Sequence, residues 1–199
     1  MKNCLKVVGA LCFGFVAASL FPNSTEAAQT HTIEEGDTLY QLGIQYGVPT
    51  NDIIEENNLT SDVIYIGDTL VIPGSIISQS EKQLLAQLIH AEAESEPYAG
   101  KVAVGTVVLN RVDSSEFPNS ISDVIYDKSY GYYAFSPVEN GRINNSPNSD
   151  SVKAAEEAIS FRGQGSGSLY FYNPDTATNN WIANNKQQTI KIGSHVFAK

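Results

Sequence analysis

A glutamate stands in the middle of an apolar helix face. The run from Glu81 to Glu96 stops at Pro97 and reads as a helix. At about 100° per residue, Leu85 and Leu88 fall roughly 20° and 40° to either side of Glu92, with Ile89 about 60° away. An unpaired charge in such a place is costly. The group is expected to raise its pKa and keep a proton near neutral pH. A protonated acid in a partly dry cleft suits cleavage of a glycosidic bond. Glu96 returns to within about 40° of Glu92 and is its rival, although the following proline draws its backbone out of the helix. Glu94 points about 200° away, toward solvent. The alternative for Glu92 is a structural carboxylate tied to Arg111 or to a backbone amide. Ordinary glycosidases use two carboxylates. Glu139 and Asp123 are the remaining candidates for a second, and both read as solvated surface acids.

The elements around this helix read less evenly. Val102 to Leu109 fits a buried strand or a buried helix, and periodicity does not decide between them. Phe117 to Tyr126 reads as a turn and a short helix. Tyr130 to Tyr133 and Phe135 to Val138 read as an aromatic loop, and Ser151 to Phe161 as a helix with Val152, Ala155, Ala158 and Ile159 inward. Leu169 to Tyr172 alternates as a strand, with Ile190 to Val196 its expected partner. Tyr133, Phe135, Tyr170, Tyr172 and Trp181 offer rings for a sugar face. Tyr170 and Tyr172 are expected toward the cleft and Phe171 inward. Ser136, Asn173 and His195 are polar groups beside them.

A smaller unit precedes this one. His31 to Glu34 reads as a strand, Gly36-Asp-Thr as a turn and helix cap, and Thr69 to Pro73 as a second strand after two short helices. The expected fold class is therefore α+β: a βααβ module at 30–73, a short polar linker at 74–80, and a mostly helical domain with a short β-hairpin at 81–199. The basic start at Lys2 and Lys6, the apolar stretch from Val7 to Phe21, and Ala27 or Ala28 as the small cleavage residue read as a secretory signal peptide at 1–27. Both cysteines, Cys4 and Cys12, lie in it. The mature chain is then expected to have no thiol nucleophile or thiolate metal site. His90 and His195 are a poor ligand set for zinc, so no cofactor or metal is expected. The chain carries a formal net charge of −10. Its acids between residues 28 and 80 (Glu34, Glu35, Asp37, Asp52, Glu55, Glu56, Asp62 and Asp68) face no Lys or Arg in that stretch. Such a balance argues against nucleic acid as a partner, and against a membrane once the leader is removed.

Two family resemblances join these readings. Ile33, Gly36, Asp37, Thr38, Leu39, Ile44, Tyr46, Leu59, Ile64, Gly67, Leu70, Ile72 and Pro73 make the first module similar to LysM domains, with Ile66 where the family often has proline. The resemblance implies binding of N-acetylglucosamine-containing glycans in a groove between Gly36, Asp37 and Thr38 on one side and Asn57, Leu59, Ile64 and Tyr65 on the other. Ala91 to Tyr98, Asn110-Arg111, Phe135-Ser-Pro-Val, Asn140-Gly-Arg142, Leu169 to Pro174, Trp181-Ile182 and Ile192 to Ala198 resemble the spore-cortex-lytic cell-wall hydrolases of the SleB and CwlJ type. That likeness implies a lysozyme-like domain that cleaves peptidoglycan glycan strands as a lytic transglycosylase, with Glu92 as the single catalytic glutamate. Glu96, Tyr133, Phe135, Ser136, Tyr170, Tyr172, Asn173 and Trp181 are the expected substrate contacts, in an enzyme expected to be secreted to the wall or spore cortex. Ser95 departs from the family's glycine, Ala134 from its glutamine, and Ala183 to Lys186 from a segment that differs in relatives. An amidase and a non-catalytic wall-binding protein are the alternatives.

Overall fold

The structure, a computed structural model, describes residues 27–129 and 131–199. The expected signal peptide at 1–27 lies almost wholly outside them. Among the described residues no helix is long and apolar enough to cross a membrane.

The first module builds a core from both of its strands and both of its helices. Strands β1 (Gln29–Thr32) and β2 (Thr69–Ile72) pair antiparallel, Gln29 opposite Ile72. Between them run α1 (Leu39–Tyr46) and α2 (Thr50–Glu56). Thr38 caps α1 by accepting from the Gln41 amide, and Gly47 ends it in a left-handed turn. Ile33, Leu39, Leu42, Val48, Ile53, Leu70 and Ile72 form the core.

The second domain is built on three packed helices: α3 (Gln79–Ala93), α4 (Tyr98–Asp113) and α7 (Ser149–Ser160). The run left open by periodicity, Val102 to Leu109, is helical. Its β-branched residues are outweighed by burial on several sides, against α3 and α7. Gly105 permits the closest approach, since a methyl group there would lie 2.9 Å from both Ala158 Cβ and Ile89 Cδ1. Between α4 and α7 come α5 (Ile121–Ile125), the two-residue strands β3 (Lys128–Ser129) and β4 (Tyr132–Tyr133), α6 (Ser136–Glu139) and a 3-10 turn (Arg142–Asn144).

After α7 the chain forms β5 (Tyr170–Tyr172), α8 (Trp181–Asn185), β6 (Gln188–Ile192) and β7 (His195–Ala198). These strands make a three-stranded antiparallel sheet in the order β5-β7-β6. The expected short hairpin is thus a larger sheet. The segment expected to pair with β5 is split by the Gly193-Ser194 turn. Only its second part, β7, pairs with β5, while Ile190 to Ile192 form the outer strand.

The joining segment is packed. Ile77 is buried in the core of the second domain, and the buried Ser75 hydroxyl donates to the Gly47 carbonyl at 2.9 Å. Gln79 and Ser80 already belong to the first turn of α3, which opens with a capping box between Ser78 and Glu81. The reading of 74–80 as a plain polar linker is corrected accordingly. The first module also lies directly on α7. Thr50 Oγ1 and Ser160 Oγ are 2.9 Å apart, and Ser160 donates to the Tyr40 carbonyl at 3.1 Å.

Candidate active site

Glu92 lies in the last turn of α3, between the buried Ala91 and Ala93. The helix end beside it is held by an ammonium group. Lys101, 5% exposed, donates to the carbonyls of Ala93, Glu94 and Glu96 at 2.9, 2.7 and 2.9 Å. These are acceptors that a helix C-terminus leaves unpaired, and the positive charge suits the negative end of the helix dipole. The start of α4 thereby fixes the end of α3.

Two acids on this helix end have opposite environments. Burial pushes Glu92 from its ordinary value of 4.5 up to about 7, against the pull of the Arg142 guanidinium. Among the described residues no hydrogen bond ties its carboxylate. Arg111 forms no ion pair with it; its Nε donates instead to the Leu169 carbonyl at 2.7 Å. Glu96 also loses solvent. That loss is outweighed by the Ser194 hydroxyl and amide, which both donate to its carboxylate and hold it below the usual range. The amide contact is 3.0 Å. Gly193 makes the arrangement possible: its φ is +59°, and any Cβ there would collide with Glu96 Oε2. Glu96 thus anchors the β6–β7 turn.

Glu92 opens into a cleft of about 680 Å³, within the range of small-ligand sites. Glu96, Tyr133, Phe135, Ser136, Tyr172 and Asn173 line the same cleft, as do Arg111, Glu139, Arg142 and His195. Phe135 is almost fully buried and stacks on Phe171, so only its margin is available. Desolvation lowers the pKa of His195, which Glu96 partly opposes. Its Nδ1 is buried without a partner among the described residues.

Tyr170 and Trp181 are not on this cleft wall. The expected orientation of β5 is reversed in part: Phe171 reaches the cleft margin with Tyr172, while Tyr170 packs edge-on against Phe117 and Trp181. Both faces of β5 are covered, so alternation sorts its rings between two packed clusters. Lys186 lies 4.4 Å from the Tyr170 ring centroid and 5.6 Å from that of Trp181, forming a separate patch. Asp123 is occupied at the start of α5, where it exchanges hydrogen bonds with Ser120. Glu139, expected as plain surface, is exposed but stands on the cleft wall. Arg142 carried no assigned role in the sequence, and its position opposite Glu92 comes from the 3-10 turn.

In the first module the expected groove divides into free and committed groups. Gly36 is exposed at φ +95°. Thr38 is occupied as the α1 cap. Asp37 accepts from the Glu34 amide at 2.8 Å and lies 2.8 Å from His31 Nε2. Asn57 uses its whole amide as a clip, donating to the Ile53 and Val71 carbonyls and accepting from the Val71 amide. Leu59 and Ile64 pack on the core. These commitments occupy the Asn57 amide and leave Leu59 and Ile64 half-buried. Tyr65 is 69% exposed and remains available.

Comparison with known proteins places this architecture. Residues 31–73 match the LysM domain. Residues 95–198, more than half of the chain, match the cell wall hydrolase family; Glu92 lies just before that span. A spore cortex-lytic enzyme of Bacillus cereus is 43% identical over 122 residues, 61% of this chain and 45% of the relative. One from Bacillus subtilis (strain 168) is 40% identical over 128 residues, 64% of this chain and 40% of the relative. The aligned part is thus less than half the length of these curated relatives. The solved catalytic domain of the germination-specific lytic transglycosylase SleB from Bacillus anthracis is similar with a TM-score of 0.56 and 42% identity, over 64% of this chain and all of that one. With its helical cleft domain and its βααβ module both matched, the chain belongs to the cell wall hydrolase family and carries a LysM domain ahead of the hydrolase domain.

Proposed function

We propose that this protein cleaves the bond between N-acetylmuramic acid and N-acetylglucosamine in peptidoglycan, as a lytic transglycosylase. The observation that carries the reading is Glu92: a half-buried acid with no hydrogen-bond partner among the described residues, lifted to about 7, on the wall of a polar cleft. Near neutral pH its protonated and ionised forms are therefore both well populated, and it is exposed enough to pass the proton on. In the first step Glu92 gives its proton to the glycosidic oxygen as the bond from that oxygen to the anomeric carbon breaks. In the second, the Glu92 carboxylate takes the proton from the 6-hydroxyl of the same muramic residue, and that oxygen bonds to the anomeric carbon. The product is a 1,6-anhydro sugar, no water is consumed, and Glu92 ends protonated. Positioned acid catalysis of this kind contributes roughly 10²- to 10⁴-fold.

Glu96 is poorly suited to the role, since Ser194 stabilises its charged form. The remaining cleft acid, Glu139, supports a second reading in which it activates water and the reaction is hydrolysis. The LysM domain supports attachment to the same glycan strands, with Gly36 and Tyr65 the available contacts. The protein is then an exported enzyme of the wall or spore cortex. Mass spectrometry of muropeptides from digested sacculi and cortex tests the proposal. Anhydro-muramic ends are expected. Reducing ends that take up ¹⁸O from labelled water would replace transglycosylation by Glu139-assisted hydrolysis, and freed stem peptides would indicate an amidase.

A further inference from the structure

Arg111 is a cation of the cleft to which the proposed reaction gives no work, and it has no acid beside it. It comes from the last turn of α4 and is 8% exposed. Its guanidinium carbon lies 4.9 Å from the Phe117 ring centroid, 5.0 Å from that of Phe135 and 5.6 Å from that of Tyr170. With Nε bound to the Leu169 carbonyl, the planar group has little freedom left. Its terminal nitrogens have no acceptor among the described residues. The residue lines the Glu92 cleft. Among the described residues no carboxylate comes within ion-pair distance of it, and Asp127 and Tyr170 act only at longer range.

The other two cations near the site are accounted for. Lys101 is spent on three carbonyls, and Arg142 stands 3.8 Å from Glu94 and faces Glu92. A buried guanidinium without an acid is an expensive arrangement unless a partner arrives from outside. In a chain of net charge −10, a cation on the cleft wall with no acid beside it is a local exception.

We infer that Arg111 is an anion subsite that receives a carboxylate carried by the glycan strand. A guanidinium fork fits a carboxylate with two parallel hydrogen bonds. N-Acetylglucosamine has no such group. A muramic residue carries one, either on its lactyl ether or at the end of the stem attached there. The subsite therefore distinguishes the two alternating sugars and sets the register of the strand against Glu92. This inference rests on the glycan-cleaving reading above.

The test is calorimetric binding to the full chain bearing Glu92→Gln, which keeps ligands intact. Three tetrasaccharides of alternating glucosamine and muramic residues are compared: free lactyl acid, lactyl N-methylamide, and lactyl-L-alanine with its own free carboxylate. At least one acid form is expected to bind about tenfold or more tighter than the neutral methylamide. The tighter of the two acids identifies the lactyl or the stem carboxylate as the source. Adding Arg111→Gln is expected to erase the gap while leaving methylamide affinity within about twofold. Because the first comparison keeps Arg111, it does not depend on the folding of that variant. Equal affinity for all three ligands overturns the subsite and leaves the glycan reading standing. Binding of none of them overturns both.

Discussion

Glu92 and Glu96 are four residues apart on one helix end and have been pushed in opposite directions. Glu92 lost solvent and gained no hydrogen bond, whereas Glu96 gained a hydroxyl and an amide. This difference has a thermodynamic signature. Below pH 4.5 Glu92 is protonated in both the folded and the unfolded chain and costs nothing. Between 4.5 and about 7 the unfolded chain ionises while the folded one does not, so the stability associated with Glu92 declines as pH rises. Above about 7 that loss is complete. Glu92→Gln escapes it, and is expected to be more stable than the parent at pH 8 by up to about 3 kcal/mol, with the gap closing at pH 4. Denaturant titrations at the two pH values measure this; a constant gap would mean that the carboxylate is not desolvated. The same ionisation predicts that kcat/KM falls as pH rises through about 7, because the reaction begins from protonated Glu92. Glu96→Gln behaves differently. It weakens the Ser194 contacts and is expected to cost about 1–2 kcal/mol of stability with only partial loss of turnover.

At the scale of elements, the site depends on how α3 ends. Its apolar face was legible in the sequence because Leu85, Leu88 and Ile89 recur at helical spacing around Glu92. Its stop near Pro97 was legible too, but not what holds that end: Lys101, a side chain from the next helix reaching back to three carbonyls. Lys101→Met leaves those acceptors without their cation. It is expected to cost about 2–4 kcal/mol, and amide hydrogen exchange should show added fraying confined to the end of α3. The nature of α4 was open for a related reason: its valines favour strand locally, and only packing against two other helices decides for helix. The β5 rings show the limit of alternation. Period two separates Tyr170 from Phe171 correctly, but both sides of the strand are covered, so it does not say which side is the cleft. In the LysM domain, motif positions identified the turns well. They could not reveal that the Asn57 amide is consumed by Ile53 and Val71.

The two domains are held as neighbours by specific contacts. Ser160 at the end of α7 bonds to Thr50 and to the Tyr40 carbonyl, and Gly43 leaves the space in which its hydroxyl sits. A methyl group at Gly43 would meet that hydroxyl and lie 2.9 Å from Thr50 Oγ1. Gly43→Leu is therefore expected to part the domains while each retains its own core. Small-angle scattering should report a larger radius of gyration and calorimetry two separated transitions. An unchanged profile would mean that this contact does not hold them. With the LysM domain packed on the hydrolase domain, the proposed glycan capture and cleavage would share one frame. The proposed reaction depends on one proton at Glu92. The most direct test is release of soluble fragments from purified sacculi by the Glu92→Gln chain, with thermal unfolding and sacculus binding measured alongside. Release is expected to fall by at least about 10²-fold, with folding and binding retained. Release at the parent rate by a folded, wall-binding Glu92→Gln chain would contradict the proposed reaction.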